Sequence, residues 1–138
     1  MTRDDGGFGI GPAPLVPAYS GLLAVGLGLR PDLSADRVLV ALAEALPGRR
    51  IGCLATLDRR AREPGLLAAA AELGVPLLGY SVVRMAQVPV PTPSERVVAA
   101  LGIPGVAEAA ALLAGTGPLL VPRQVVGGVV VAATAARG

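Results

Sequence analysis

Histidine and lysine are both missing from this 138-residue chain, so all of its twelve basic residues are arginine. Without histidine there is no imidazole base and no His-ligated metal. Without lysine there is no Schiff base, which excludes pyridoxal chemistry. Tryptophan is absent and aromatics make up 2%. Nucleic-acid bases would have almost nothing to stack on, and no basic cluster alternates with aromatics, so nucleic acid is not an expected partner. The single cysteine, Cys53, can form neither an internal disulfide nor a CxxC site. Lying in the apolar run Ile51-Gly52-Cys53-Leu54, it reads as a small buried hydrophobe. No metal and no cofactor are expected. Any acid–base work falls to Asp, Glu, Tyr or bound water.

What the chain does contain is 53% hydrophobic residues, mostly Ala, Val and Leu, enough for one domain with a core of small aliphatic side chains. The mean hydropathy of +0.65 raises the question of a membrane. Gly6 to Leu29 is uncharged but carries three prolines and many glycines, which a spanning helix disfavours. Gln124 to Ala136 is apolar but well short of the ~20 residues a span needs. The start, Thr2-Arg3-Asp4-Asp5, does not lead a basic segment into an apolar helix, so no secretory signal is read. The expectation is a cytoplasmic protein without a membrane partner.

Residues 1–20, rich in Gly and Pro, read as a leader, and 21–138 as the folded domain. Leu22 to Leu29 is apolar on both faces and predicts a first strand in a covered sheet. Ser34 predicts the N-cap of a helix over Ala35–Leu46, with Val38, Leu39, Leu42 and Leu46 as its buried stripe. A second strand follows over Arg50–Ala55, and then a polar loop. Pro64 opens a second helix, which Gly74 ends. A third strand covers Val75–Tyr80, and Ser81–Val88 forms a turn of helix. Thr92-Pro93-Ser94-Glu95 has the form of a capping box for a helix to Leu101. A further short helix covers Val106–Ala114. Strands over Leu119–Val121 and Val126–Thr134 flank Gly127-Gly128, whose pairing suggests a tight hairpin and one antiparallel strand. The fold class is α/β, a three-layer α/β/α domain with a mixed, mostly parallel sheet of about five strands.

The chain's densest charge is the loop Asp58-Arg59-Arg60-Ala61-Arg62-Glu63. A polar loop between a strand and a helix is where an open α/β sheet places its site. If the first two strands are parallel, the loop after the first joins it, which gathers Arg30, Thr56, Asp58, Arg60 and Glu63 at one crevice. Gly26 and Gly28 let a ligand or another backbone approach closely. Glu108 is the only charge between Arg96 and Arg123, and it stands in the first turn of a helix, where the dipole favours an acid. Ser94, in a helix first turn, offers a backbone donor to an anion. Arg123 reads either as an edge charge or as an anion clamp.

Five blocks in this order carry a resemblance: Val25-Gly26-Leu27-Gly28; Leu54 to Leu66; Pro93-Ser94-Glu95; Val106 to Leu113; and Leu120-Val121-Pro122-Arg123-Gln124. Together, over about residues 22 to 136, they resemble the C-terminal domain of the cobalamin biosynthesis protein CbiG, a cobalt-precorrin-5A hydrolase, and its free-standing counterpart CobE. The resemblance implies a mixed α/β domain in the cytoplasmic route to vitamin B12. The larger hydrolase opens a lactone on the macrocycle and releases acetaldehyde; its N-terminal portion has no counterpart among these blocks. The family usually has a cysteine after the glycines, where this chain reads Leu29-Arg30-Pro31, and it favours lysine at Arg60 and Arg123.

The expected ligand is therefore a precorrin or cobalt-precorrin, with lactone opening as the activity the resemblance suggests. Arg30, Arg60 and Arg123 would hold its carboxylates, with Gly26, Gly28, Thr56 and Ser94 completing the binding set. Asp58, Glu63 or Glu108 would orient or activate a water. Whether the chain is an enzyme is left open. The alternatives are a non-catalytic tetrapyrrole carrier or partner subunit of other corrin-pathway enzymes, and a nucleotide-binding α/β module.

Overall fold

The computed structural model describes residues 21–90 and 105–137. The leader, the capping box around Ser94 and the helix read up to Leu101 lie outside the described residues. Within them the chain runs β1 (Leu22–Gly28), α1 (Ala35–Ala45), β2 (Arg50–Leu57), α2 (Pro64–Leu73), β3 (Leu77–Tyr80) and α3 (Val82–Ala86). It continues through α4 (Val106–Ala114), β4 (Gly115–Val126) and β5 (Val129–Ala136). The five strands form one sheet in the order β3-β2-β1-β5-β4. β1 pairs parallel to β2, and β2 to β3. β5 runs antiparallel to both β1 and β4, so four strands point one way and only β5 opposes them. This is the mixed α/β sheet that the sequence predicts.

Local chemistry accounts for the helices. The Ser34 hydroxyl accepts a hydrogen bond from the Arg37 amide at 3.2 Å and starts α1, one of the donors a helix start leaves free. Val38, Leu42 and Leu46 are buried, and Leu39 is partly so. Pro64 occupies the first turn of α2, and Gly74 closes it in the left-handed region at φ 70°, a conformation glycine adopts without a Cβ penalty. Ser81 caps α3 through the Arg84 amide at 3.1 Å.

The two sides of β1 are built differently. Leu23, Val25 and Leu27 are fully buried in an aliphatic core shared with α1 and α2. Each such side chain contributes roughly 1.5–3 kcal/mol of burial. On the other side Ala24 and Gly26 leave so little bulk that α4 lies directly on the sheet. A Cβ on Gly26 would overlap the Ala107 carbonyl oxygen and the Ala111 amide. Ala109, Ala110, Ala111 and Ala114 complete this thin layer with Met85 of α3. The Thr134 hydroxyl donates to the Ala111 carbonyl at 2.7 Å and pins the helix to β5.

The last two strands depart from expectation. The sequence predicts β4 over Leu119–Val121, but it spans Gly115–Val126, twelve residues. Pro118 and Pro122 argue against a central strand, yet β4 is an edge strand, where a missing N–H faces solvent. The register shifts between Thr116 and Val121 and between Val121 and Gln124 absorb the irregularity. β5 begins at Val129 rather than Val126, because Gly127 and Gly128 both take positive φ, 56° and 83°, as a two-residue hairpin turn requires. β2 extends to Leu57, and β3 begins only at Leu77.

Candidate functional site

β1 and β2 end side by side, and the reversed β5 begins beside them. Around these ends lies a cleft of about 670 Å³, lined by Gly28, Leu29 and Arg30 after β1 and by Thr56, Leu57, Arg59 and Arg60 after β2. Gly105, Val106 and Ala107 at the start of α4, with Arg123, Gly128 and Val130 from the hairpin strands, close its far side. The crevice at the carboxyl ends of parallel strands is the place where open α/β sheets bind ligands.

Each group arrives by a separable local cause. Thr56 is fully buried. Its hydroxyl donates to the Leu27 carbonyl at 2.8 Å, which locks the ends of β1 and β2 together beneath the cleft. Gly28 would hold a Cβ in ordinary contact, 3.5 Å from Val130 and 3.7 Å from the Ala107 amide. Its bare backbone therefore widens the cleft rather than relieving a clash. Gly105 caps α4 without any side-chain hydrogen bond. The first turn of that helix thus brings its positive dipole end to the cleft wall.

The charge on the described wall is of one sign: Arg30, Arg59, Arg60 and Arg123 line it, and no acid does among the described residues. Arg60 is oriented by Glu63, whose Oε2 accepts from Arg60 Nη1 at 2.9 Å. The other oxygen of Glu63 accepts from the Asp32 amide at 2.8 Å. Asp32 sits at φ 67°, a left-handed conformation that Asp adopts more readily than most residues.

The structure distributes the residues named from sequence unevenly. Gly28, Arg30, Thr56, Arg60 and Arg123 share the cleft. Gly26 does not face a ligand space; the backbone of α4 occupies that position, so its close approach is a packing contact and its place in the binding set is withdrawn. Asp58 is exposed, and its amide donates to the Tyr80 carbonyl at 2.9 Å. The Asp58 Cα and the Ala61 methyl lie over Gly79 of β3, where even a methyl group would be crowded. Glu63 stands behind the cleft wall, and Glu108 is 1% exposed within α4. None of these three acids is among the described lining residues. Ser94 lies outside the described residues. Cys53 is buried on the α4 side of the sheet; burial pushes its thiol up from the usual value, against a smaller opposing effect of a hydrogen bond with the Val25 backbone.

Sequence reading did not single out Arg59, or the Gly105–Ala107 and Gly128–Val130 walls. The start of α4 carries an acid in its first turn, Glu108, but no Ser, Thr, Asp or Asn at its cap, which is Gly105. The hairpin wall depends on β5 pairing back onto β1, which is not visible in a local window.

Comparison with known proteins agrees with this architecture. Residues 23–134 match the family described as Cobalamin synthesis G C-terminus. Protein CobE from a Sinorhizobium species is 38% identical over 113 residues, spanning 75% of this chain and 73% of its own length. The crystal structure of CobE, described as a protein from the cobalamin (vitamin B12) biosynthetic pathway, superposes with a TM-score of 0.72 at 29% identity, covering 86% of this chain and 93% of that one. The cobalamin biosynthesis protein chiG from Agrobacterium tumefaciens superposes at 0.65 and 34% identity, covering 85% and 100%. A cobalamin biosynthesis protein G homolog from Sulfolobus solfataricus shares the fold at 20% identity and 0.65, with 41% of its chain covered. The match over residues 23–134 and the 38% identity to Protein CobE show that this chain belongs to the Cobalamin synthesis G C-terminus family of cobalamin-biosynthesis proteins.

Proposed function

We propose that the cleft binds a precorrin or cobalt-precorrin intermediate by its peripheral carboxylates. The observation that carries this reading is the set of four arginines from three separate segments around one cleft of about 670 Å³ with an aliphatic and glycine wall. A corrin precursor is a broad apolar ring edged by carboxylates. Guanidinium groups grip carboxylates through paired N–H donors, and Leu29, Leu57, Val106 and Val130 offer contact to the ring. The start of α4 adds a favourable potential for negative charge.

Binding is favoured over autonomous chemistry by the position of the acids. Asp58 packs over β3, and Glu63 is held by Arg60 and the Asp32 amide. A carrier or partner role in the pathway, presenting the intermediate to other enzymes, uses the cleft without a base. A role assisting lactone opening needs a water activated by a carboxylate near the ring. The two are separated by mixing the purified protein with the lactone intermediate and assaying acetaldehyde. Saturable binding without acetaldehyde supports the carrier. Acetaldehyde that disappears in Glu108→Gln or Asp58→Asn supports the hydrolytic role. A thermal shift with ATP or NAD and none with corrins or precorrins would overturn both in favour of a nucleotide-binding module.

A further inference from the structure

We infer that Glu63 is a positioning and specificity residue for a polycarboxylate ligand rather than a proton acceptor, an inference that rests on the cleft being an anion site. Its place in the fold is unusual. It stands at the N-cap of α2 yet its side chain makes no capping bond, and the following Pro64 has no amide to satisfy. Both of its oxygens are instead committed elsewhere: one to Arg60 Nη1 at 2.9 Å, the other to the Asp32 amide at 2.8 Å. Arg60 belongs to the loop after β2, and Asp32 lies two residues beyond Arg30 in the loop after β1. One carboxylate therefore ties together the two loops that supply Arg30, Arg59 and Arg60 to the cleft.

The tie acts on recognition in two ways. It fixes the separation of the two loops and the direction of the Arg60 guanidinium, so that neighbouring carboxylates on one ligand meet the arginines with less ordering. Rigid presentation of this kind raises affinity by lowering the cost of ordering on binding. It also occupies one edge of Arg60 with a resident anion. A lone carboxylate must compete for that edge, while a ligand with several carboxylates engages the remaining donors of several arginines together. The consequence is selectivity for many carboxylates over few. Glu63 is partly shielded, at 17% exposure against 21% for Arg60, so the pair is less weakened by solvent than a fully exposed one.

The test uses the intact chain with two porphyrin probes, the octacarboxylate uroporphyrin I and the dicarboxylate mesoporphyrin, titrated by absorbance and fluorescence. The wild type should prefer the octacarboxylate, and Glu63→Gln should cut that preference by about tenfold, the scale of one lost charge-assisted bond. Glutamine keeps the size of Glu63 but has only one oxygen for two donors. In an Arg30→Ala/Arg60→Ala background the same substitution should leave the preference unchanged. Amide exchange and phenylglyoxal labelling of the free protein add a readout that needs no ligand. Glu63→Gln should speed exchange of the peptide containing Asp32 and speed modification of Arg60 by about tenfold.

Unaltered exchange and labelling in Glu63→Gln would overturn the tie itself. Faster exchange and labelling with the porphyrin preference unchanged would overturn its role in selectivity. An equal loss of preference in the double-arginine background would show that Glu63 contributes only to general stability. If the wild type binds neither porphyrin while exchange and labelling respond as expected, the anion-site reading fails and the tie between the loops stands.

Discussion

At the scale of single residues, the two glycines of β1 make opposite commitments although they sit two residues apart. Gly26 meets the backbone of α4 directly, so neither the helix nor the strand can yield to a methyl group. Gly26→Ala should destabilise the fold by about 2–4 kcal/mol, as overpacking against rigid backbone does, measured by urea unfolding. Gly28→Ala places its methyl at ordinary contact distances; unfolding should shift by less than about 1 kcal/mol while ligand affinity falls as the cleft narrows. Sequence alone could name both glycines as sites of close approach but not say what approaches, because the answer lies on a helix about eighty residues away.

Cys53 supplies a pH argument at the same scale. Burial raises its thiol above 9.0, so the folded state holds the proton more tightly than the unfolded chain. Its contribution is fully present below about pH 9 and is lost as pH climbs through the raised folded value. Two outcomes are expected. At pH 8 the native thiol should react with an aromatic disulfide reagent far more slowly than the urea-unfolded one. Above pH 9 the melting temperature of the wild type should drop more steeply than that of Cys53→Ala. A native thiol that reacts at the unfolded rate would contradict its burial.

At the scale of elements, legibility follows how local the cause is. Ser34, Ser81, Pro64 and Gly74 each act within a turn or two of their own backbone. The helices they bound could therefore be read from spacing and caps. β4 is the contrary case. Its prolines carry a local signal for a break, and only its edge position makes them harmless. The element is held by its ladder to β5 and by a long-range bond: Gln124 Nε2 reaches the carbonyl of Ala45, the last residue of α1, at 3.3 Å. Thr134 ties β5 to α4 in the same manner, more deeply and at 2.7 Å. Thr134→Val keeps the shape and removes the donor, and should cost about 1 kcal/mol. Gln124→Ala, at a longer and partly exposed bond, should cost less, about 0.5 kcal/mol. Parallel urea denaturations rank the two; a larger loss at Gln124 would mean that the hairpin, not the seat of α4, limits stability.

At the scale of the whole molecule, charge is distributed in a way its sum conceals. The net charge is only +2, yet four arginines line the cleft and the described lining adds no acid. The acids of this region face outward or sit behind the wall, as Asp58 and Glu63 do. Strand order explains why only part of this could be foreseen. Arg30 and Arg60 follow adjacent strands and could be placed together from the chain's α/β rhythm. Arg123 joins them only because β5 reverses and carries β4 alongside it. The arrangement makes ionic strength a direct probe of how the ligand is held. If arginines grip carboxylates at this partly open rim, raising salt from about 0.05 to 0.5 M shortens the screening length from above 10 Å toward 4 Å and should weaken binding of a polycarboxylate tetrapyrrole by tenfold or more. Arg123→Gln should weaken binding at low salt by about tenfold and flatten the salt dependence, since one of the screened contacts is gone. Insertion of the ring against Leu29, Leu57 and Val130 alone would leave affinity nearly constant across that range. An affinity indifferent to salt in both proteins would therefore assign the cleft to apolar contact and remove the arginines from recognition.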